Sequence, residues 1–448
     1  MCKQQLVVQE SAPLRGTTRL WGAKNAVLVI MASLLLTRGK SRLTNVPSSC
    51  DVWQMIEVLK ELGAAVVFDH DLGVLDIDTS KVFGHSISEH RMQKMRASVL
   101  VMGPLLARFG KAELSMPGGC VIGSRPIDFH IKLFRQLGIQ VTLSGNKVQA
   151  EWQSRVGDAR LILEYPSVGA TENALMAAAL SNSSITLVNA AVEPEVLDLV
   201  EVLKKMGADI TVQVPATIIV RGVQELRPIE HSVIPDRLEA GALLIAAAIT
   251  KGSITIPDAP VHSMGVFLEK LREMGHVVVE SCDGVGVHLT ATSSPRAVSF
   301  KTSPYPGFPT DLQAPMMVAQ AVAKGESSIC ETVFENRMIH VRELQKMGAQ
   351  IRHEGMYAHV HGVNKLYGAS VIGTDIRACA ALVIAGLVAQ GVTTVTGLDH
   401  LHRGFANFEG KLRKLGANIS ESRVAKSDTQ SGSTCVVGQL SVTNDIQK

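Results

Sequence analysis

The sequence predicts an α/β protein built from six copies of one unit, and three observations support this fold class. A helix end recurs with a glycine, a fully apolar helix precedes it, and an alternating apolar strand follows it. The recurring glycines are 68–75 residues apart, a period typical of an internal structural repeat. They are Gly63, Gly138, Gly207, Gly275, Gly348 and Gly416.

The bulk composition excludes several classes of protein. The 448 residues are 46% hydrophobic and 19% charged, which is ample core material for more than one domain. A net charge of +3 gives no reason to expect nucleic acid or an anionic membrane as partner. The longest apolar run, Ala26–Leu36, is too short to span a bilayer. The seven cysteines are scattered and never form CxxC, so we expect a cytoplasmic protein without disulfides or a metal site. We also expect no obligate protein partner.

Each copy begins with an Ala-rich helix, as in "NAVLVIMASLLL" or "EAGALLIAAAIT". Such a helix is apolar on nearly all sides and must be buried. A strand such as "KGSITIPDA" follows, then an amphipathic helix that ends at the recurring glycine, a residue suited to a left-handed C-cap. A β-hairpin such as "VVFDHDLGVLDID" completes the copy. An open solenoid is the alternative arrangement, but fully buried helices favour compact groups of copies.

The chain ends predict how the copies are grouped. The sixth copy runs into polar "ESRVAKSDTQSGSTC" and lacks a second hairpin strand, which the N-terminal "QLVVQE" can supply. We therefore expect two domains of three copies each around a cleft: residues 1–20 with 232–423, and residues 21–231. The two crossovers are placed near Leu20–Lys24 and within Arg227–Asp236.

Cations stand at or beside the start of four of the six buried helices. A helix N-terminus already carries partial positive charge, so a cation there is disfavoured unless something else needs it. A single such residue is best explained as a surface side chain. Four together indicate an anion site that lines the cleft. These residues are Lys24, Arg96, Arg237 and Arg377.

Other polar residues near helix starts have simpler explanations. Asp311 in "FPTDLQA" and Asp375 in "TDIRA" both suit helix caps, and for Asp375 we keep that interpretation. Arg337 and Arg403 are expected to open the second helix of copies five and six, where either can be a surface residue.

Copy two contains a longer loop than its siblings, "LSMPGGCVIGSRPID". Gly118, Gly119 and Gly123 make its backbone permissive. A glycine-rich loop with a reactive group is typical of a lid that closes over substrate. Cys120 would supply the thiol, and nearby Arg125 would tune the pKa of that thiol. An inert loop cysteine is the alternative.

Nine motifs in order carry a specific resemblance, from about residue 5 to residue 420. They resemble the enolpyruvyl transferase family and, within it, the branch that uses a UDP-sugar acceptor. The resemblance implies two domains, each of three similar units, around a cleft. The motifs are "GAKNA", "MRAS", "PGGCVIGSRPIDFH", "SVGATEN", "VIPDR", "FPTDLQA", "ETVFENRMIHV", "TDIRA" and "HRGF".

The resemblance implies a reaction and its catalytic residues. The enolpyruvyl group of phosphoenolpyruvate would pass to the 3′-hydroxyl of UDP-N-acetylglucosamine with release of phosphate, the first committed step of peptidoglycan precursor synthesis. No cofactor is implied. Cys120 would protonate the methylene carbon, attach covalently to the donor and react with fosfomycin, and Asp311 would act as general base. Clustered cations would stabilise the doubly anionic adduct. The implied catalytic residues are Cys120, Asp311, Lys24 and Arg403.

The same resemblance implies the binding residues, which fall into three groups. Those for phosphoenolpyruvate are Lys24, Asn25, Arg125 and Arg403. Those for UDP-N-acetylglucosamine are Asn25, Arg96, Arg125, Pro126, Ile127, Asp128, Phe129, Ser167, Val168, Gly169, Asp311 and Val333. Those that support closure are Arg377, Arg337 and Arg237.

Two features depart from the family pattern. Tyr165-Pro166 stands where a less bulky and often basic lead-in is expected, which affects the nucleotide contact. The polar tail 424–448 exceeds what the fold needs, and we expect it to be poorly ordered. Two alternatives stay open: the shikimate-pathway enolpyruvyl transferase, which shares the donor, and an inactive paralogue that binds a UDP-sugar.

Overall fold

The first helix of each unit is buried on all sides, because its residues are almost entirely apolar. The structure is a computed structural model that describes residues 3–116, 127–153 and 157–424. Short 3-10 turns, Arg96–Val101 and Thr310–Leu312, lead into the first helices of units two and five. The six helices are Lys24–Ser33, Met102–Phe109, Val168–Ala179, Arg237–Ile249, Gln313–Ala321 and Ile376–Gly386.

The second helix of each unit is amphipathic and covers the sheet of that unit. Glycines with positive φ follow these helices, as the repeated helix end predicted. The second helices are Cys50–Glu61, Asp128–Gln136, Pro194–Met206, Gly265–Glu273, Val341–Lys346 and Phe408–Lys414. Two further short helices, Glu89–Lys94 and Leu398–Gly404, lie between these elements.

Each unit carries one small sheet, in which the hairpin and the preceding strand are antiparallel. Five of the sheets have a fourth, parallel edge strand that the sequence did not predict, because these segments are only two to four residues long. In the sheets of units one to three, the strand orders are Glu230–Ser232, Lys40–Thr44, Val74–Asp78 and Ala65–Asp69 (unit one); Lys111–Ser115, Lys147–Trp152 and Ile139–Ser144 (unit two); and Asp209–Gln213, Thr217–Arg221, Ser184–Val188 and Ala159–Ile162 (unit three). In the sheets of units four to six, they are Val277–Glu280, Val287–Thr290, Ser253–Ile256 and Arg15–Thr17 (unit four); Phe300–Lys301, Glu326–Cys330, Tyr357–His361 and Gln350–Glu354 (unit five); and Ser370–Ile372, Val392–Thr396, Lys3–Gln9 and Ile419–Val424 (unit six). A separate pair joins Leu366–Tyr367 to Ala389–Gln390.

The N-terminal strand completes the last unit. Lys3–Gln9 pairs antiparallel with both Val392–Thr396 and Ile419–Val424, so the first strand lies between two strands from the end of the chain. The edge strands beside the crossovers pair with units that are distant in sequence. Arg15–Thr17 pairs with a strand of unit four, and Glu230–Ser232 pairs with a strand of unit one.

Two separate hydrophobic cores lie in the molecule. One is formed by buried residues between Ala23 and Val233. The other combines Leu6, Val8, Leu14 and Leu20 with buried residues from Leu238 onward. The domain boundaries given above stay a prediction. Among the described residues, no helix is both long enough and apolar enough to cross a membrane.

Candidate functional site

A buried carboxylate, Asp51, joins two cations that come from opposite halves of the chain. Lys24 Nζ lies 2.9 Å from Asp51 Oδ2, and Arg403 Nε lies 2.9 Å from Asp51 Oδ1. The Asp51 side chain is 2% exposed, whereas those of Lys24 and Arg403 are 12% and 18% exposed. We call these three residues the Asp51 cluster. Its anion is hidden, and its cations keep the remaining accessible surface.

Asp51 is ionised at neutral pH. Burial by itself raises the pKa of Asp51, but the positive charges of Lys24 and Arg403 outweigh it and lower the pKa below its ordinary value. The carboxylate therefore lies charged between two cations, whose accessible surfaces suit an anionic ligand.

The segment before Lys24 explains why its sequence is "GAKNA". Gly22 N donates to Asn45 O, and Ala23 N donates to Ile234 O in the other crossover. A Cβ at Gly22 would lie 2.1 Å from Asn45 O, so only glycine fits this close approach of two chain segments. The start of the helix, and with it Lys24, is thereby fixed where the two halves meet.

A second carboxylate, Asp311, also lies between two cations. Arg337 Nη2 donates to Asp311 Oδ1 at 2.7 Å, and Arg377 donates to Asp311 Oδ2 from Nε at 3.0 Å and from Nη2 at 2.7 Å. We call these residues the Asp311 cluster. Here the arginine side chains are 3% and 5% exposed, while that of Asp311 is 22% exposed. Asp311 does not cap the helix that follows it, since its oxygens bind arginines.

The two arginines determine the ionisation of Asp311. Its burial raises the pKa, but Arg377 and then Arg337 outweigh that effect and hold the pKa far below its usual range. Arg377 Nη1 is buried, and no hydrogen-bond acceptor among the described residues reaches it. A buried guanidinium donor without an acceptor is costly, and an anionic ligand would satisfy it.

The two clusters are linked through one short segment. The guanidinium carbon of Arg377 lies 5.1 Å from the ring centre of Phe405, which is two residues after Arg403. The expectation that Arg403 opens a helix is wrong: it lies in the last turn of Leu398–Gly404, because the second helix of unit six begins only at Phe408. Arg337 likewise precedes its helix, which begins at Val341.

Asp236 and Asp375 are N-caps of the helices that contain Arg237 and Arg377. Asp236 accepts hydrogen bonds from two backbone N–H groups of its helix, and Asp375 does the same, so the cap interpretation of Asp375 is confirmed. Arg237 pairs with a carboxylate of the other half of the chain. It forms two hydrogen bonds, at 3.0 and 3.1 Å, to Glu195 of the other half.

Six of the twelve predicted sugar-nucleotide residues lie at two neighbouring helix starts. Ile127, Asp128 and Phe129 begin one helix, and Ser167, Val168 and Gly169 begin the other. The rings of Phe129 and Tyr165 lie 6.4 Å apart at an angle of 25°. A cavity of about 700 Å³ lies beside the helix Asp128–Gln136. Its lining includes Asp128, Phe129, Lys132, Arg135 and Glu164.

Asn25 and Val333 flank the two clusters. Asn25 is exposed beside Lys24. Val333 follows the strand Glu326–Cys330, and its N–H donates to Glu331 Oε1 at 2.8 Å. Three predicted residues, Cys120, Arg125 and Pro126, lie outside the described residues, as does the tail 425–448. For Arg96 only the backbone is described.

Sequence reasoning missed three carboxylates that organise the site: Asp51, Glu195 and Glu331. Each is buried and binds a residue that the motifs had singled out. A signal was available, because acidic residues near helix starts and strand ends are costly to bury without partners. The partners themselves were not predictable, since Asp51 and Arg403 are separated by more than three hundred positions.

Known proteins are similar to this chain over most of its length. The family profile described as EPSP synthase (3-phosphoshikimate 1-carboxyvinyltransferase) matches residues 8–412. A protein named UDP-N-acetylglucosamine 1-carboxyvinyltransferase 1 from Caldanaerobacter subterraneus subsp. tengcongensis is 46% identical over 417 residues, covering 93% of this chain and 99% of that protein. A protein of the same name from Staphylococcus epidermidis is 46% identical over 416 residues, covering 93% and 98%.

Solved structures share the fold at lower identity. The enolpyruvyl transferase NikO from Streptomyces tendae has a TM-score of 0.86 at 24% identity, covering 95% of this chain and 100% of that one. EPSP synthase from Acinetobacter baumannii has a TM-score of 0.72 at 16% identity, covering 94% and 100%. These likenesses establish the arrangement of six α/β units in two groups, as the repeats predicted.

Proposed function

The chain belongs to the EPSP synthase family of enolpyruvyl transferases, and we propose that it transfers the enolpyruvyl group of phosphoenolpyruvate to the 3′-hydroxyl of UDP-N-acetylglucosamine. Phosphate is released. The relatives that are 46% identical over most of the chain carry this acceptor in their name. The reaction would take place in the cytoplasm, as a step towards peptidoglycan.

The observation that supports this function best is that the two clusters expose opposite charges. In the Asp51 cluster the accessible groups are the cations Lys24 and Arg403, which suit the phosphate of the donor. In the Asp311 cluster the accessible group is the carboxylate, which suits the hydroxyl of the sugar. One region therefore offers positive charge, and its neighbour offers a proton acceptor.

Asp311 needs a change in its surroundings to act as a base. While both arginines bind it, its low pKa makes it a weak proton acceptor. The buried Nη1 of Arg377 has no acceptor among the described residues, and the carboxylate of phosphoenolpyruvate would provide one. That new anion would share the charge of Arg377 and raise the pKa of Asp311 when the donor is present.

The reaction balances as an addition followed by an elimination. Asp311 takes the proton of the sugar hydroxyl, whose oxygen bonds to C2 of the donor, while the thiol of Cys120 gives a proton to C3. The adduct carries phosphate and carboxylate on the same carbon, C2, and the cations of both clusters would stabilise it. The bond from C2 to the phosphate oxygen then breaks, the thiolate takes a proton back from C3, and the proton held by Asp311 leaves with the released phosphate. Tyr165 and Phe129 would lie near the nucleotide.

The deciding experiment measures phosphate release with phosphoenolpyruvate and each of two acceptors. We expect turnover with UDP-N-acetylglucosamine, strong loss in Cys120→Ala, and no turnover with 3-phosphoshikimate. Turnover only with 3-phosphoshikimate would instead favour the shikimate-pathway activity. Tight binding of the UDP-sugar with no turnover would indicate an inactive paralogue.

Cys120 allows two further measurements on the wild-type protein. Activity should fall on the alkaline side as the thiol ionises, because a thiolate cannot donate the proton. Fosfomycin should add covalently to the peptide that contains Cys120 when the UDP-sugar is present, as mass spectrometry would detect. A flat alkaline profile or an unmodified peptide would contradict the role of this thiol.

A further inference from the structure

Glu331 connects the two turns that carry Asp311 and Val333. Its Oε2 accepts a hydrogen bond from Thr310 Oγ1 at 2.9 Å. Its Oε1 accepts from Val333 N at 2.8 Å and from Phe334 N at 3.2 Å. The residue is 2% exposed, so both oxygens are engaged within the protein. One buried carboxylate thus fixes two chain segments, one carrying the proposed base and the other a proposed sugar contact.

We infer that Glu331 is a positioning residue for the acceptor, an inference that rests on the proposed function. Thr310 directly precedes Asp311, so its bond to Glu331 fixes the backbone from which the proposed base projects. The arginines of the Asp311 cluster orient only the carboxylate end of that side chain. The other oxygen of Glu331 holds the turn of Val333, the proposed sugar contact.

The segment that contains Glu331 and Val333 is also attached to Thr302, so a substitution of Glu331 can be tested without loss of the fold. Thr332 N donates to Thr302 Oγ1 at 3.0 Å, and Thr332 Oγ1 donates to Thr302 O at 2.7 Å. Loss of Glu331 therefore leaves the loop attached but frees the two turns on either side. A displacement of about 1 Å at a reacting group lowers the rate by roughly a hundredfold.

The test compares Glu331→Ala, Glu331→Gln and Thr310→Val for phosphate release with UDP-N-acetylglucosamine. Glutamine keeps an oxygen for the two N–H groups, and the hydroxyl of Thr310 can rotate to accept from its amide. We expect Glu331→Ala to lose roughly 10- to 100-fold in kcat/KM and Glu331→Gln to stay within about threefold of wild type. Thr310→Val cuts only one bond, and should lower kcat with little change in the KM of the sugar.

Glu326→Ala is the matched control. Glu326 begins the strand Glu326–Cys330, which directly precedes Glu331, and it is exposed and contacts only His361 at 3.2 Å among the described residues. It should behave like wild type. Wild-type activity in Glu331→Ala would overturn the inference. Equal losses in Glu331→Gln and Glu331→Ala would also overturn it, because glutamine keeps the hydrogen bonds on which the inference depends.

Amide hydrogen exchange keeps this result separate from the proposed function. The amides of Val333 and Phe334 should exchange faster in Glu331→Ala than in Glu331→Gln, whether or not the protein turns over. Unchanged exchange would overturn the inference by itself. Absence of phosphate release from wild type with any acceptor would overturn the proposed function, while faster exchange would still support the connection made by Glu331.

Discussion

The Asp51 cluster and the Asp311 cluster have the same composition and the opposite exposure. Each holds one carboxylate between two cations, and in each the cations lower the pKa of the carboxyl group. In the first, the carboxylate is buried and the cations are accessible. In the second, the cations are buried and the carboxylate is accessible. Exposure, rather than residue type, decides which charge a ligand meets.

The two clusters also differ in what they join. The Asp51 cluster takes Lys24 and Asp51 from the first half and Arg403 from unit six, so it connects the two cores. The Asp311 cluster draws all its members from units five and six. We expect changes in the first to affect both stability and donor binding, and changes in the second to affect mainly turnover.

The largest expected effect is that of Asp311→Asn on turnover. Loss of a general base lowers kcat by about 10²- to 10⁴-fold, while the shape of the side chain is kept. The affinity for UDP-N-acetylglucosamine, measured by calorimetry, should change little. A kcat within tenfold of wild type would mean that the accessible carboxylate is not the base, and the contrast between the clusters would lose its functional meaning.

Asp51→Asn should destabilise the protein strongly. Removing one partner of a buried ion pair costs about 3–5 kcal/mol, because the cations lose their compensating charge. Urea unfolding would measure this loss. Inorganic phosphate should raise the melting temperature of the variant more than that of wild type, since it can replace the missing anion.

Asp76→Asn is the matched control for this change. Asp76 also binds two cations, Lys40 and Arg42, but these are largely exposed, and exposed pairs contribute little to stability. Equal destabilisation by the two substitutions would show that burial of Asp51 has no special effect.

Arg377→Lys and Arg337→Lys should separate the two arginines of the Asp311 cluster. Arg377 donates twice to Asp311 and has a further buried donor, whereas Arg337 donates once. Lysine cannot reproduce the planar fork, and the loss of a hydrogen bond to a charged group costs about 1.5–3 kcal/mol, or roughly 10- to 100-fold in kcat/KM. Arg377→Lys should therefore be the more severe. Steady-state kinetics with both substrates would measure the difference. A larger loss of kcat/KM in Arg337→Lys would contradict the proposal that Arg377 also binds the donor.

The smallest expected effect is on the pH dependence of stability. A carboxyl group whose pKa is lowered by folding stabilises the protein fully above its ordinary value of about 3.9, and this stabilisation is lost as the pH falls through the folded pKa. The gap in unfolding free energy between wild type and Asp51→Asn should therefore be largest near neutral pH and shrink below about pH 4. Urea unfolding at several pH values checks this, and a constant gap would contradict the ionised state of Asp51.

Local patterns were sufficient for the elements of the fold. The glycine at each helix end and the all-apolar first helices depend on backbone conformation and burial, which act over a few residues. The short edge strands were missed because two to four residues carry too little pattern. Arg403 was misplaced because a second short helix precedes Phe408.

The sequence by itself determined the repeats and the buried helices, because these follow from the chemistry of neighbouring positions. It identified the residues of the candidate site through the resemblance of its motifs to a known family. Only the tertiary structure decided that Lys24 and Arg403 meet on Asp51, that two arginines hold Asp311, and which charge in each group stays accessible. Charge pairing depends on distance and burial, and both are set by how distant segments pack against each other.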